Sequence, residues 1–360
     1  YRGFIAQSLE RFPDAVEAYE QVLAAAPEDF ESWNNLGNAR SATGDLDGSV
    51  AALERAMALN PLAPPTRLNL AVAWGAGGRD AEAEALLKGT VEEFPHDARA
   101  LHELYVQYKK EGRQDEAMVA IERAVALAPD NANLQLKFGV ECGLLNRTEE
   151  AERAFRMAIA ADPSMTDAYL GLTVQYEHAN REEEFAPLIA MAETNGLDEG
   201  ALSFMRAFEL RRAKRFDEAL ASLDLVPADM EAERTTHLRG QLLDRLGRID
   251  EAFEAFTATN DLHLTSPTQP LERSAALREK LRSEINLLTP EWTASWPEAR
   301  PGRDHPDPVF LLGFPRSGTT LLDTILMGHP GTMVLEERPP LNNVVKHIRG
   351  ITALPGPHAG

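Results

Sequence analysis

Five prolines, Pro27, Pro61, Pro95, Pro129 and Pro163, recur at a constant interval of about 34 residues, and this period constrains the fold more than any other feature of the chain. Proline is 23 of 360 residues. Four successive hits at a preset spacing therefore have a chance on the order of 10⁻⁵, and the repeat is real. Other positions keep the same register. Ala15, Ser49, Ala83, Ala117 and Ala151 each precede a proline by one fixed interval, and Val22, Ala56, Thr90, Ala124 and Ala158 precede it by another, shorter one. Small residues at fixed spacing are what two helices need where their backbones cross closely. Gly44, Gly78, Gly112 and Asn146 fall where such a hairpin turns, at a position that favours a left-handed backbone. The proline ends the second helix and lets the next begin. One helical hairpin cannot bury its apolar face alone, so the units are expected to stack into a superhelix.

Trp33, Leu36, Gly37, Ala83, Ala117 and the periodic prolines match the signature positions of the tetratricopeptide repeat, and over about residues 1–260 the chain resembles that family. The later units decay: Leu197 stands where a proline is due, while Gly240, Gly247, Ala252 and Phe256 still fit a final unit. The reading is about eight repeats over residues 1–265, the first cut short at its N-terminal end. Tyr105, Tyr108, Tyr169, Tyr176 and Cys142 read as packing residues, the tyrosines alternatively as lining of the concave groove. Residues 266–305 lose the period and gain prolines, which marks a linker. Within it, 271–288 reads as one more helix capping the repeats. The resemblance implies a protein or peptide partner held in the groove of the superhelix.

The formal charge of −21 lies entirely before Pro306. Beyond it Arg316, Arg338, Lys346 and Arg349 balance Asp307, Asp323, Glu336 and Glu337. This break in composition suggests two units with different tasks. The acidic excess argues against a nucleic-acid partner, which needs a basic face. It would also repel an acidic partner over a Debye length of about 8–10 Å, so the partner is expected to be basic or bound on an uncharged inner face. The single cysteine excludes an internal disulfide framework, and no Cys/His cluster offers a metal site. No apolar run reaches the roughly 18–20 residues of a membrane span. A cytoplasmic location is expected. The chain opens on Tyr1, so the natural N-terminus, with any targeting segment, is expected to be missing.

The segment that carries chemistry starts at Val309. Residues 309–312 are a continuous apolar run, as in a strand of a parallel sheet buried on both faces. Residues 313–318 form a short loop with Gly313 and Gly318, and residues 319–327 have helix composition ended by Gly328, His329 and Pro330. Strand, glycine-bearing loop and helix start together make an anion cradle, with converging backbone N–H groups and the positive end of a helix dipole. Arg316 adds a permanent cation with a bidentate fork. The glycine spacing is that of a nucleotide triphosphatase loop, but Thr319 stands where its lysine would be. Ser317 and Thr319 also read as simple helix caps, Glu337 as a solvated strand end, and His329 as a helix-end residue.

The string Pro315, Arg316, Ser317, Gly318, Thr319, Thr320 resembles the 5′-phosphosulfate loop of sulfotransferases that use 3′-phosphoadenosine 5′-phosphosulfate, and is closest to their protein-tyrosine sulfotransferase branch. The chain is also similar to bacterial proteins that fuse tetratricopeptide repeats to such a domain. The resemblance implies that residues 306–360 are the N-terminal part of a P-loop-like α/β sulfotransferase domain following a mainly α repeat superhelix. It implies that the loop residues 315–320 bind the co-substrate, that Glu337, after a second strand over 331–335, is the base for the acceptor hydroxyl, and that Arg316 stabilises developing charge. No metal is required by that scheme. The branch usually carries a further arginine two positions beyond the glutamate; here Pro339 stands there and Arg338 lies one earlier. With strand, helix, strand and one more helix at 341–348, the segment is shorter than an open α/β domain, so the stretch is expected to be an inactive fragment of the enzyme. A non-catalytic interaction scaffold is the alternative, and a nucleotide-binding switch a third reading.

Overall fold

The computed structural model describes residues 1–266, 269–287, 289–294, 319–329 and 331, and all regular structure among them is helical. The chain divides into two units, Tyr1–Ala275 and Ala276–Gly360. In the first, consecutive helices form antiparallel hairpins: α1 (Arg2–Ser8) with α2 (Phe12–Ala25), α3 (Phe30–Ala42) with α4 (Leu46–Leu59), α5 (Pro64–Ala76) with α6 (Asp80–Glu93), α7 (Ala98–Lys110) with α8 (Gln114–Leu127), and α9 (Ala132–Leu144) with α10 (Thr148–Ala161). The series continues with α11 (Thr166–His178) and α12 (Phe185–Thr194), α13 (Glu199–Arg212) and α14 (Phe216–Leu223), and α15 (Ala232–Arg245) and α16 (Ile249–Leu264). Each hairpin's first helix also packs on the second helix of the hairpin before it. First helices touch one another directly, α3 with α5, α5 with α7, α9 with α11 and α11 with α13, and line one side of the repeats. The fold is a tetratricopeptide-repeat superhelix.

The small residues sit where the period placed them. Ala15, Ser49, Ala83, Ala117 and Ala151 are fully buried, as are Ala56, Thr90, Ala124 and Ala158. Val22 departs from its register and is exposed. The close crossings are visible at the glycines too: a Cβ on Gly37 would lie 2.4 Å from Leu53 Cγ, and one on Gly139 would lie 2.9 Å from the Phe155 ring.

Every hairpin turns through a left-handed residue. Gly44, Gly78, Gly112 and Asn146 have φ of +82°, +77°, +72° and +56°. The same register holds Glu10, Asn180 and Lys214, at +56°, +54° and +60°. The residue after the turn donates its N–H to the carbonyl five positions back, as in Arg79 N to Trp74 O at 2.8 Å, Arg113 N to Tyr108 O at 2.9 Å and Arg147 N to Cys142 O at 2.8 Å. This closes orphan carbonyls at the end of the first helix.

That same residue is an arginine in most hairpins, and in four of them it staples the turn to the repeat before it. Arg79, Arg113, Arg147 and Arg181 each pair with an acid three positions on, Glu82, Glu116, Glu150 and Glu184. They also reach back to Glu54, Glu84, Glu122 and Glu152 on the preceding second helix. Three of the guanidinium groups lie over the rings of Trp74, Tyr108 and Tyr176. In the second hairpin Asp45 takes the place instead and caps α4 by accepting from Gly48 N at 2.9 Å.

The decay of the later repeats has structural counterparts. The second helix of the sixth hairpin opens with a 3₁₀ turn, Glu182–Glu184, before α12. The seventh hairpin has a short α14, followed by a connection with Glu231 at φ +46°. The left-handed glycine of the last hairpin, Gly247, accordingly falls one position short of a full period after Lys214. Beyond the repeats lie α17 (Pro270–Leu287), which spans the boundary between the units, α18 (Pro290–Ala294) and α19 (Thr319–Met327). The described apolar side chains of α17, Leu271, Leu277, Leu281 and Ile285, are exposed.

Candidate functional site

Two places could carry function: the loop ahead of α19 and the inner face of the repeats. In the first, helix α19 starts at Thr319 and ends at Met327, with the turn at Gly328 and His329 that the sequence suggests. His329 Nδ1 accepts from Gly331 N at 3.1 Å, which fits a helix-end role for that residue. Thr319 and Thr320 form the first turn of the helix. Pro315, Arg316, Ser317 and Gly318 lie outside the described residues, as do the expected strand at 309–312, Glu336, Glu337 and the helix expected at 341–348. Gly331, at the start of the second expected strand, is a turn residue, and 332–335 lie outside the description.

The inner face is built from the first helices. Val72, Val106 and Val140 occupy one register position of α5, α7 and α9 and are 49%, 43% and 44% exposed, a stripe of apolar side chains facing open space. Beside it a hollow of about 370 Å³ opens among the three helices, with Leu68 and Val72 on one wall and Asn69, Arg99, His102 and Asn133 around it. Asn69 donates to Asn34 Oδ1 at 3.1 Å across α3 and α5. Arg99 is held by Asp97, and His102 Nδ1 lies 3.0 Å from Glu103 Oε1. The tyrosines do not line this face: Tyr105, Tyr108, Tyr169 and Tyr176 are buried between helices. The Tyr105 hydroxyl donates to Glu141 Oε1 at 2.8 Å, and burial together with that carboxylate holds its pKa above the ordinary phenol value. Glu141 is itself buried and accepts from Lys109 Nζ at 3.0 Å and from Gln114. This network is satisfied on all sides and ties α7 to α9.

Cys142 is fully buried, and burial pushes its thiol up to about 11, so it packs and does not act as a thiolate. A second hollow of about 350 Å³ lies between α10, α11 and α12, with Ile159, Leu172, Leu188 and Met191 as walls and Arg156 and Glu184 at its rim. Among the described residues no three His, Cys, Asp or Glu side chains gather as a metal group would require, and no helix is long and apolar enough to cross a membrane. Sequence reasoning missed the arginine staples, although the signal was present as an arginine once per period with an acid three positions after it.

Three tetratricopeptide-repeat sequence families match, over residues 5–64, 42–107 and 108–131. Residues 308–354 are similar to the Sulfotransferase family. An uncharacterized protein of Aquifex aeolicus (strain VF5) is 31% identical over 133 residues, which is 36% of this chain and 16% of that protein. The chain therefore spans less than a fifth of that relative's length. Among solved structures, YrrB, a TPR protein with an unusual peptide-binding site, is 19% identical with a TM-score of 0.40, covering 56% of this chain and all of its own. PilF of Pseudomonas aeruginosa is 15% identical with a TM-score of 0.46, covering 64% of this chain and 96% of its own. The register of the prolines, the buried small residues and the matches over 5–131 agree: the N-terminal part of this chain is made of tetratricopeptide repeats.

Proposed function

We propose that this chain is the repeat-bearing part of a sulfotransferase, which moves a sulfuryl group from 3′-phosphoadenosine 5′-phosphosulfate to a hydroxyl acceptor, protein tyrosine among the candidates. In this reading residues 1–265 recruit the acceptor protein or a partner, 266–305 link, and 306–360 begin the catalytic domain. The observation that carries it is the string Pro315 to Thr320, whose last two residues open helix α19, inside the stretch similar to the Sulfotransferase family. Backbone amides of Ser317, Gly318, Thr319 and Thr320 at a helix start are suited to phosphate oxygens. Arg316 would balance the charge that grows on the departing 3′,5′-bisphosphate as its bond to sulfur breaks. Glu337 would take the proton of the acceptor hydroxyl as the new sulfur–oxygen bond forms. As in phosphoryl transfer, positioning and electrostatics supply most of the effect.

Calorimetric titration of the intact gene product with 3′-phosphoadenosine 5′-phosphate tests this. Saturable heat that Arg316→Ala abolishes is the expected result, with Glu337→Gln keeping the binding and losing transfer of labelled sulfate. Absence of heat would leave the second reading, a non-catalytic scaffold. The exposed valine stripe and the hollow beside it support a binding role under either reading.

A further inference from the structure

Val72, Val106 and Val140 stand at one register position of α5, α7 and α9, each a full period from the next. The same position holds the half-buried Asn38 in α3 and the buried Val174 in α11, so the exposed apolar stripe is confined to these three hairpins. Helices α5 and α7 touch directly, and the Tyr105 hydroxyl joins α7 to α9 through Glu141. Packed helices lie about 8–10 Å apart, axis to axis, so the valines offer one apolar contact at about that interval along the inner face. The seam is one side chain wide. Asn69, Glu103 and Lys137 flank it one helical turn before the valines, and Gly75, Lys109 and Gly143 one turn after.

That interval selects a backbone. Polyproline II has three residues per turn and a rise of about 3.1 Å, so it brings round the same face every third residue, after about 9.3 Å. A β-strand repeats its face every second residue, after about 6.6 Å, and falls out of step with the stripe. An α-helix repeats it after seven residues and about 10.5 Å, but presents an apolar band more than ~100° wide, which a seam one side chain wide does not cover. Charge selects too. Cations beside the stripe already have acids of their own: Arg99 has Asp97, Lys109 has Glu141 and Lys110 has Asp80. Glu103 and Lys137, in one register position, are opposite in sign. These groups sum to no net charge, although the chain as a whole stands at −21. Polyproline II makes no internal hydrogen bonds, and Arg99 and Asn133 at the hollow beside Val72 supply N–H donors for its carbonyls.

We propose that the valine stripe docks an uncharged segment of a partner protein in the polyproline II conformation, with an apolar side chain at every third residue. Three such side chains meet Val72, Val106 and Val140, which takes a segment of about seven residues. Leu68 and Val72 wall the hollow that receives the first of them. A preformed polyproline II chain loses little conformational freedom on docking, so a narrow seam can hold it. The proposal rests on the recruiting role given to the repeats, names the chemistry of what they recruit, and does not depend on sulfuryl transfer.

Fluorescence anisotropy of the 360-residue protein with a labelled Leu-Pro-Pro repeat peptide tests it, beside a Leu-Pro repeat of equal length and an alanine-rich helical peptide with leucine at every seventh residue. The Leu-Pro-Pro peptide is expected to bind roughly tenfold more tightly than either, with an affinity that salt leaves unchanged. Val106→Asn, at an exposed position in the middle of the stripe, should weaken it about three- to tenfold, as loss of one partly buried apolar contact would. Val119→Asn, at an exposed position of the second helix α8, should leave it unchanged. Equal binding of the Leu-Pro repeat, or no binding of the Leu-Pro-Pro peptide, would overturn the proposal. So would equal weakening by both variants, or an affinity that falls steeply with salt. Tighter binding of the helical peptide would overturn it while leaving recruitment by the repeats standing, whereas a failed sulfate-transfer assay would bear only on the catalytic reading.

Discussion

Ser49 shows how a single atom can depart from a repeat. Its register position is alanine in four other hairpins, at Ala15, Ala83, Ala117 and Ala151, and all five side chains are fully buried. The Ser49 hydroxyl has no hydrogen-bond partner. A buried, unpaired hydroxyl costs about 1 kcal/mol or more, and alanine is also the better helix former. Ser49→Ala is therefore expected to stabilise the protein by about 1 kcal/mol, measured as a higher urea midpoint at unchanged slope. A lower midpoint would mean that the hydroxyl is satisfied. The sequence marked this position as small, because size at a helix crossing follows from the period. It could not mark the unsatisfied hydroxyl, since whether an oxygen finds a partner depends on neighbours from the adjoining hairpin.

At the scale of the element, the hairpin turn is the constant feature. Gly44, Gly78, Gly112 and Asn146 were legible because glycine and asparagine accept a left-handed backbone readily. Glu10, Asn180 and Lys214 adopt it in the same register, though only Asn180 has a side chain suited to it. There the geometry is imposed by packing of the two helices and by the hydrogen bond across the turn, such as Arg215 N to Leu210 O at 2.9 Å. Imposing it on a lysine costs about 1 kcal/mol. Lys214→Gly should thus raise the thermal midpoint, by about 2–4 °C for a unit of this size. A fall in the midpoint would show that the loss of chain entropy in glycine outweighs the relieved strain. The decayed sixth and seventh hairpins, counted among the eight by the sequence, lose the proline for a related reason. Leu197 replaces the helix-ending proline, and Gly196, at φ +77°, ends the helix in its place.

At the scale of the whole repeat unit, hairpins are joined by their apolar layers and by the arginine staples. The buried core is not one continuous cluster: Ala6 to Ala52 form one, Leu53, Leu70 and Ala73 a small second, and Leu68 to Ala255 the large third. Between the third and fourth hairpins, Glu84 accepts from Arg113, Lys88 and Tyr108. Arg113 above all holds the Glu84 carboxyl down to about 2 from an ordinary 4.5. A carboxylate with a depressed pKa stabilises the fold fully above its unfolded value, and that stability is lost as pH falls through the folded value. The window here runs from about 4.5 down to about 2. Glu82, Glu150, Glu218 and Glu251, each beside the arginine three positions before it, are shifted the same way. Glu84→Gln is expected to lower stability at neutral pH and to flatten its decline across that acid window, followed by circular dichroism at several pH values. An unchanged acid limb would show that the pair contributes nothing to folding.

The sequence by itself determined the repeat, its hairpins, the small residues at the crossings and the start and end of α19, because each follows from local chemistry repeated at a fixed spacing. It also supplied the phosphosulfate-loop string from Pro315 to Thr320, whose order of residues carries the resemblance without reference to any neighbour. Tertiary structure alone decided which carboxylates meet which arginines, that Tyr105 and Tyr169 pack rather than line the groove, and that Arg211 and Arg212 share the carboxylate of Glu177. Those partners stand nearly a whole repeat apart along the chain or belong to different hairpins. Their meeting depends on how one helix pair rotates against the next, which the spacing of residues within a repeat does not specify.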